Sequence, residues 1–361
     1  MRLGNGDRVI TNFYKNKKVL VTGHTGFKGS WLCRILKLFG AEIYGYSLEP
    51  PTDPNLYDIL ESDCYINSMI GDIADFDKLS KFYSEVKPDY VFHLAAQPLV
   101  REGYRDPRNT YLSNVMGTVN ILECIRLFGA KSVLIITTDK VYDNIEDYSH
   151  EYREDERLDG YDPYSNSKSC SELVTHSYVR SFLGKVCPVS TARAGNVIGG
   201  GDFAAERIVP DCVRAAISNG EVVLRNPNSV RPYQHVLEPL YSYLVVVMKQ
   251  DEDNKYAGCY NIGPGMEDCV TTGELADLFC KAWSTGMKWK SLDDNGPHEA
   301  NFLKLDNSKL KDTFGISPLW HIEDAVSKTV EWTKVWNSNG DIKGCTDNQI
   351  REYMRGRGLD V

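Results

Sequence analysis

The sequence has few of the features that mark secreted, membrane or nucleic-acid-binding proteins. No hydrophobic run reaches membrane-spanning length, and residues 1–18 carry charges without the apolar core of a signal peptide. The ten cysteines include no Cys-x-x-Cys pair and no nearby histidine in sequence, which predicts reduced thiols without a disulfide framework or a metal site. The net charge is −9 with interspersed signs, so no nucleic-acid or membrane partner is expected. These absences together predict an unprocessed cytoplasmic protein.

A glycine-rich turn follows the first predicted strand. Residues 18–22 are short and β-rich, residues 31–39 have a helical apolar pattern, and three glycines lie between them at the spacing Gly-x-x-Gly-x-x-Gly. Glycines there let the backbone turn tightly and approach a pyrophosphate, whose charge is stabilised by the N–H groups and dipole at the helix start. The turn therefore predicts an NAD site. Its expected cofactor contacts are Gly23, Thr25, Gly26, Phe27 and Gly29.

The ends of three later strands supply further candidate contacts for NAD. The predicted strand 42–47 ends where an acid would select NAD and a basic residue would accommodate NADP, and the absence of an arginine favours NAD. The carboxylate of Asp72, after the next strand, either lies near the adenine amino group or caps a helix. Small residues in the predicted strand 91–97 permit close approach of the phosphates, and His93 within it is favoured as a core residue. The assigned contacts are Ser47, Asp72, Ile73, Leu94, Ala95 and Ala96.

Strand and helix patterns alternate as far as Asn196, with a helix predicted over 114–128 and a strand over 132–138. This alternation predicts an α/β fold, a Rossmann-type doubly wound parallel sheet with helices on both faces. A length of 361 residues with 42% hydrophobic content is enough for this domain and a smaller C-terminal α/β substrate-binding domain. The predicted division assigns 1–195 to the NAD-binding domain, which 235–263 rejoins through a helix and a late strand, and assigns 196–234 and 264–361 to the substrate-binding domain.

Two short segments supply groups for hydride and proton transfer. Tyr164 and Lys168 are four residues apart in a predicted helix, so they share a face and the ammonium can favour the phenolate. Thr138, Asp139 and Lys140 follow a predicted strand, at the edge where ligands bind in parallel sheets. A Tyr-x-x-x-Lys pair alone also occurs in ordinary helices. Combined with a hydroxyl, a carboxylic acid and a second amine, it indicates a redox-assisted elimination.

Several longer segments carry a resemblance to a known family, and they are 22–31, 93–101, 114–119, 160–168, 193–202 and 231–240. Over nearly its whole length the chain resembles the CDP-glucose 4,6-dehydratases, which are extended short-chain dehydrogenase/reductases acting on a nucleotide sugar. The departures are Thr138 where Ser is common, Val141 where Cys is common, and Phe203 and Tyr233 where Trp is common. The last two lie in substrate-side loops, so these departures bear on which sugar is bound more than on which reaction is catalysed.

The resemblance implies an NAD-dependent hydro-lyase that oxidises C4 of CDP-glucose, eliminates water across C5 and C6 and returns the hydride to C6. Tyr164 would take the C4 hydroxyl proton, Lys168 would hold the phenolate and the nicotinamide ribose, and Thr138 would hydrogen-bond the C4 oxygen. Lys140 would remove the C5 proton, and Asp139, if protonated, would donate to the departing hydroxyl. Many related dehydratases have Glu at the position of Lys140. An ion pair of Lys140 with Asp139 or a phosphate is the alternative that the sequence leaves open.

On the substrate side, Arg231 is the strongest candidate for the diphosphate, because a guanidinium matches phosphate oxygens in a bidentate manner. Asn196 is a candidate for orienting the sugar or the adjacent phosphate. Arg193 and Arg207 are weaker candidates, since an arginine near a loop is more often structural. Residues 226–229 are candidates for the base edge. The assigned substrate contacts are Gln97, Asn196, Arg207, Arg231, Gln234 and His298.

Three alternative functions differ in the residues that they need. A nucleotide-sugar 4-epimerase needs no acid and base for C5 and C6, a dehydratase of another nucleotide sugar needs a different base-recognition site, and a non-catalytic NAD-binding regulator needs no Tyr164. The resemblance also implies a homodimer or homotetramer formed through helices around 111–128 and 163–183. It further implies a role in CDP-linked 3,6-dideoxyhexose synthesis for lipopolysaccharide O-antigen.

Overall fold

A computed structural model of the protein describes residues 9–147, 149–284, 286–292 and 302–361. Its central element is a seven-stranded sheet in the order β3-β2-β1-β4-β5-β6-β11, in which every pairing is parallel. Three two-stranded sheets, β7 with β10, β8 with β13 and β9 with β12, lie outside it. The strands in chain order are β1 (Lys18–Thr22), β2 (Glu42–Ser47), β3 (Ile66–Ile70), β4 (Tyr90–His93), β5 (Ser132–Ile136), β6 (Val189–Ala194), β7 (Val197–Ile198), β8 (Val222–Leu224), β9 (Val230–Pro232), β10 (Gln234–His235), β11 (Cys259–Ile262), β12 (Cys269–Thr271) and β13 (Trp289–Ser291).

Helices cover both faces of the central sheet. Short π-helical segments at Leu112–Met116 and Val179–Leu183 directly precede α7 and follow α8. The helices in chain order are α1 (Ile10–Tyr14), α2 (Phe27–Leu38), α3 (Leu56–Ile59), α4 (Phe76–Val86), α5 (Val100–Arg105), α6 (Pro107–Tyr111), α7 (Gly117–Phe128), α8 (Pro163–Tyr178), α9 (Ile208–Ile217), α10 (Leu237–Glu252), α11 (Thr272–Trp283), α12 (Ser308–Phe314), α13 (Ile322–Asn337) and α14 (Ile342–Gly356).

The predicted bounds match the observed strands for β1 and β2 and differ for β4 and β5. The predictions 18–22 and 42–47 are confirmed as β1 and β2. β4 and β5 end earlier than predicted, at His93 and Ile136, because the chain leaves the sheet there to form the ligand-binding edge. Central strands of a parallel sheet are buried on both faces, which explains their continuous apolar sequences.

The two faces of the sheet have separate hydrophobic cores. One core joins the sheet to α1, α2, α10 and α14, and the other joins it to α4, α7 and α8. A third core lies among α9, α11 and α13 in the C-terminal part. β11 pairs with β6, so residues 259–262 extend the central sheet. The predicted division of the chain into two domains stays a prediction.

Two expectations about cysteines and membrane segments have structural counterparts. All ten cysteines are free thiols. One of them has a histidine neighbour that is distant in sequence, since Cys259 Sγ lies 3.1 Å from His176 Nε2. Among the described residues, no helix has both the length and the apolar character needed to cross a membrane.

Candidate active site

A cavity of about 400 Å³ opens at the carboxyl edge of the central sheet, where α/β proteins bind their ligands. Its floor is formed by the residues that follow β5 and by the start of α8. Its other wall is formed by the chain that follows β6 and by β8 and β9. The sequence-predicted residues that line it are Phe27, Thr138, Asp139, Lys140, Tyr164, Asn196, Arg207 and Arg231.

The first turn of α8 places Tyr164 at the cavity. Asp162 caps the helix by accepting hydrogen bonds from the backbone N–H groups of Tyr164 (3.0 Å) and Ser165 (3.1 Å), and Pro163 occupies the first helical position. Tyr164 is 9% exposed and Lys168, one turn later, is 5% exposed. Lys168 Nζ donates a 3.0 Å hydrogen bond to the Ile136 carbonyl at the end of β5. The predicted shared face of the pair is therefore present.

Burial changes the acidity of both groups. Burial and the nearby cation of Lys28 lower the pKa of Lys168 to about 7, against the opposing effect of Glu172. Burial raises the pKa of Tyr164 to about 12, although the hydrogen bond with Thr138 acts to lower it. Within the chain itself, therefore, Tyr164 is a neutral phenol. Lys168 Nζ donates to the Ile136 carbonyl, and the expectation that Lys168 favours the phenolate of Tyr164 stays a prediction.

Residues 138–141, which follow β5 and Thr137, form a short turn beside Tyr164. Residues 139–141 are a 3₁₀ helix with Thr138 at its N-cap, and Thr138 Oγ1 donates to Asp139 Oδ1 at 2.8 Å. Asp139 is 1% exposed, and its Oδ2 has no hydrogen-bond partner within the described part of the chain. Lys140 is half-buried in the cavity wall. Among the described residues Lys140 forms no ion pair, so the alternative pairing with Asp139 is not observed.

The glycine turn has the close packing that a dinucleotide site needs. Gly23 has φ +74°, and a Cβ there would lie 2.8 Å from the Ala95 backbone nitrogen. A Cβ on Gly29 would lie 2.2 Å from the Gly23 carbonyl oxygen, so this glycine lets α2 pack on the turn. Gly26 is the N-cap of α2, and a Cβ there would meet only the Gly23 oxygen, at 3.5 Å. The start of α2 therefore offers free space and backbone donors that fit a pyrophosphate.

The other predicted cofactor contacts lie along the same edge of the sheet. Ser47 ends β2 and its hydroxyl is 2.8 Å from that of Thr25, which joins the glycine turn to the position expected for a ribose. Asp72 is exposed after β3 and accepts a hydrogen bond from the Ala74 backbone, whereas Ile73 is buried against Gly117. Leu94, Ala95 and Ala96 follow β4 and are half-buried. This edge fits NAD.

The predicted substrate contacts divide into two groups. Arg231 is 6% exposed on β9, and Arg207 Nη1 pairs with Asp202 Oδ2 at 3.0 Å; both arginines line the cavity with Asn196. Gln97 and Gln234 are not among the lining residues. The amide of Gln97 binds Thr110 and the Leu99 backbone, and that of Gln234 donates to the Ile262 carbonyl. These bonds give no support to their predicted contact with substrate. His298 lies outside the described residues.

Two charged groups near the site received no role in the sequence analysis. Lys28, within the glycine motif, lines the cavity, and burial together with Arg207 lowers its pKa to about 8. Glu172 is fully buried, one turn after Lys168, and pairs with Arg193 at 3.0 Å. Arg193 is therefore a buried structural cation and not a surface charge. The sequence could have indicated this, because an arginine within a buried strand needs a buried partner for its charge.

Fold and site together define a class, a Rossmann-type protein with an acid–base site at the carboxyl edge of its sheet. The chain belongs to the NAD dependent epimerase/dehydratase family, whose model matches residues 19–263. It is 45% identical over 351 residues to the CDP-glucose 4,6-dehydratase of Salmonella typhimurium, an alignment that covers 95% of this chain and 98% of the relative.

Solved structures share the fold. The UDP-glucuronic acid 4-epimerase of Bacillus cereus, in complex with UDP-glucuronic acid and NAD, superimposes with a TM-score of 0.77 at 22% identity, over 88% of this chain and 99% of the other. The dTDP-glucose 4,6-dehydratase of Bacillus anthracis, in complex with NAD, gives 0.73 at 21% identity, over 88% and 96%. The Rossmann-type fold predicted from the sequence is thereby confirmed, and the predicted NAD cofactor is confirmed by the NAD dependent family to which the chain belongs.

Proposed function

We propose that this chain is a hydro-lyase that converts CDP-D-glucose to CDP-4-dehydro-6-deoxy-D-glucose with NAD as a catalytic cofactor. The 45% identity to a CDP-glucose 4,6-dehydratase over nearly the whole of both chains supports the reaction and the nucleotide. The single observation that carries the proposal is the placement of Asp139 and Lys140 in one cavity with Tyr164 and Thr138. An elimination needs this second acid and base, whereas a simple oxidation does not.

The residues divide the reaction among themselves. NAD held by the glycine turn would supply the hydride acceptor for oxidation at C4, the hydride for C6 and, when oxidised, a positive charge near Tyr164. Tyr164 takes the proton of the C4 hydroxyl, while Thr138 hydrogen-bonds the C4 oxygen. Lys168 in its charged form stabilises the phenolate. A 4-keto group then acidifies the C5 proton, which Lys140 removes and the Lys140 ammonium returns to C5 when hydride is added at C6.

Asp139 completes the elimination by protonating the departing C6 hydroxyl. Its buried Oδ2, which lacks a hydrogen-bond partner among the described residues, supports this role because it is free to carry a proton to a substrate oxygen. The half-buried amine of Lys140, which forms no ion pair with Asp139, is free to act as the base. The two roles support each other, since an ion pair between the residues would hold Asp139 ionised.

The substrate binds between the catalytic edge and the C-terminal part. Arg231 and Arg207 contact the diphosphate, and Asn196 orients the sugar. Support comes from their positions in the same cavity as Tyr164. Of the residues 226–229 predicted for the base edge, Asn226 and Ser229 line the cavity, which supports their contact with the base. The roles of Gln97, Gln234 and His298 stay predictions from the sequence.

We also propose a cytoplasmic homodimer or homotetramer. Tyr111, Leu112, Val115, Met116 and Cys170 line an open depression, which with exposed Leu173 forms a surface suited to a helical dimer interface. Ten free thiols agree with a reducing compartment. The product would enter 3,6-dideoxyhexose synthesis for O-antigen.

Mass spectrometry of single-substrate incubations tests the reaction. The purified protein is incubated with NAD and, separately, with CDP-glucose, dTDP-glucose, UDP-glucose or GDP-mannose, with a Tyr164→Phe variant as the inactive control. Loss of one water from CDP-glucose alone supports the proposal. Water loss from another donor keeps the mechanism and overturns the cytosine assignment. Absence of water loss with every donor favours a 4-epimerase or a non-catalytic NAD-binding protein.

A further inference from the structure

A buried carboxylate lies directly beneath the catalytic groups and takes no part in the proposed chemistry. Glu172 is fully buried on α8. Its Oε1 accepts a hydrogen bond from Thr137 Oγ1 at 2.5 Å, and its Oε2 accepts from Thr191 Oγ1 at 2.7 Å and from Arg193 Nη2 at 3.0 Å. One side chain thus joins α8 to the chain leaving β5 and to β6.

Glu172 and Lys168 hold consecutive residues of the chain that leaves β5. They are four residues apart on α8, so they lie on one face of the helix. Lys168 Nζ binds the carbonyl of Ile136, and the Glu172 carboxylate binds the hydroxyl of Thr137. The catalytic segment begins at the next residue, Thr138. The relative placement of Thr138 and of α8 therefore depends on these two contacts.

Arg193 supplies the charge that balances Glu172. It is fully buried on β6, and its Nη1 donates to the Tyr142 hydroxyl at 2.9 Å and to the Glu154 carbonyl at 3.0 Å. Burial acts to raise the pKa of Glu172, but Arg193 and the two threonine hydroxyls bring that pKa below its ordinary value. The carboxylate is therefore charged at neutral pH. Because buried ion pairs add little net stability, a role in geometry explains this one better.

The charge of Glu172 also acts on Lys168. The charged and titratable groups that face Lys168 are Lys28 on α2, His93 on β4, and Tyr164 and Glu172 on α8. Burial keeps His93 neutral by lowering its pKa to about 3, and Lys28 adds positive charge. Glu172 is thus the anion that favours the charged form of Lys168.

We propose that Glu172 is a positioning residue for the dehydration. It acts through the Thr137 hydroxyl on the placement of Thr138 against Tyr164, and through its negative charge on Lys168. The inference rests on the proposed function, because it assigns Thr138, Tyr164 and Lys168 their parts in that reaction. Glu172 itself does not line the cavity.

A pair of threonine variants separates positioning from general stability. Thr137→Val and Thr191→Val each remove one buried hydroxyl that donates to Glu172, but only Thr137 adjoins the catalytic segment. We expect Thr137→Val to lower kcat roughly 10- to 100-fold, because displacement of catalytic groups by about 1 Å has effects of this size. We expect Thr191→Val to lower it less than about 3-fold and both KM values to stay within about 3-fold of wild type.

A pair of glutamine variants tests the charge. Glu172→Gln keeps the shape of the side chain and removes the anion near Lys168, so we expect a lower kcat and an alkaline limb of the kcat–pH profile that moves to lower pH. The direction follows because Lys168 then loses its proton at lower pH. Glu238→Gln is the matched control. Glu238 is buried on α10 and pairs with Arg357 at 2.8 Å, away from Lys168. Glu238→Gln should therefore lower Tm without moving the kcat–pH profile.

The outcomes distinguish this inference from the proposed function. Wild-type protein that dehydrates none of the nucleotide sugars overturns the proposed function and the inference with it. Active wild type with equal kcat values for Thr137→Val and Thr191→Val overturns the positioning role alone. An unmoved pH profile in folded Glu172→Gln overturns the role of its charge. If Glu172→Gln does not fold, the threonine pair decides, because each of those variants removes only a hydroxyl.

Discussion

The two walls of the cavity are held in place by different kinds of interaction. On the catalytic wall, Asp162 caps α8, and Lys168 and Glu172 bind the chain leaving β5 through hydrogen bonds that are buried from water. On the substrate wall, Arg207 pairs with Asp202 through a side chain that is 35% exposed, and Glu206 pairs with Arg105, which is 63% exposed and does not itself line the cavity.

This difference separates the demands of catalysis from those of binding. Buried hydrogen bonds in a low-dielectric surrounding fix side chains in one arrangement, whereas exposed ion pairs contribute little and rearrange readily. Proton transfer needs catalytic atoms held in place, while a nucleotide sugar must enter and leave past the substrate wall. We therefore expect changes on the catalytic wall to lower kcat and changes on the substrate wall to raise KM.

The largest effect is expected for Tyr164→Phe. The variant removes the group that takes the C4 proton and leaves the ring in its buried place, so kcat should fall roughly 1,000-fold with little change in Tm. The rate of water loss from CDP-glucose, followed by mass spectrometry, measures this. A fall of less than about 10-fold would show that another group is the base.

Asp139→Asn and Lys140→Met should each lower the rate of dehydration roughly 100-fold, because each removes one half of the acid–base pair for elimination. In deuterated water, the wild type should place solvent deuterium in the product, and Lys140→Met should be the variant that loses exchange at C5. NMR of the product and of recovered substrate measures the deuterium in the product and the exchange at C5. Retained exchange at C5 in Lys140→Met would assign the base to a different residue.

Arg231→Ala tests the substrate wall. Loss of a bidentate contact to the diphosphate should raise KM roughly 10- to 100-fold with a smaller change in kcat. Arg214→Ala is the control, because Arg214 is an exposed partner of Asp211 on α9 and is expected to leave both constants near wild type. Steady-state kinetics with CDP-glucose gives the comparison. A fall in kcat alone for Arg231→Ala would contradict the division between the two walls.

Lys168→Met should lower activity and raise stability. The pKa of Lys168 is about 7 in the folded protein, against an ordinary value of 10.5, so Lys168 binds fewer protons when folded than when unfolded. The free energy of unfolding therefore rises with pH between about 7 and 10.5. Removing the amine should raise the free energy of unfolding at pH 7 by about 1 to 2 kcal/mol, net of the lost bond to Ile136. Urea unfolding at pH 7 and pH 10 measures this. The gain should shrink at pH 10, and a constant difference would contradict the shifted pKa.

The smallest effect is expected for Arg105→Ala. The pair with Glu206 is exposed, and surface pairs of this kind contribute at most about 1 kcal/mol, so KM should change less than about 5-fold. Kinetics at low and high salt provide the measurement, since a surface pair is screened by salt. A salt-independent change larger than this would show that Arg105 contacts the substrate.

Local patterns allowed much of the fold to be predicted from particular segments. The apolar run of β1, the glycines before α2 and the proline that starts α8 each act within a few residues, so the sequence shows them directly. The early ends of β4 and β5 were missed, because the residues that follow them remain apolar or β-branched although the chain has left the sheet. At these two points tertiary contacts override local preference.

Predictions of the site depended on how far apart its residues are in sequence. Tyr164 and Lys168 share a face because of helix geometry alone, and Thr138 to Lys140 are adjacent. The side-chain amides of Gln97 and Gln234 bind Thr110 and Ile262, which lie 13 and 28 residues away in sequence, and contact of either amide with substrate stays a prediction. An amide will bind whichever polar group lies nearest in space, and that neighbour is not encoded locally.

The sequence by itself determined the parallel α/β fold and the dinucleotide turn, and it supplied the candidates for the acid, base and hydroxyl groups, because these depend on short spacings and on residue chemistry. Only the tertiary structure decided that Glu172 and Arg193 lie paired beneath those groups, that Lys28 adds a cation to the cavity, and that Lys168 holds the end of β5. The reason is physical. The energy of a buried charge is set by its partners and by the exclusion of water, and both arise only when distant parts of the chain are packed together.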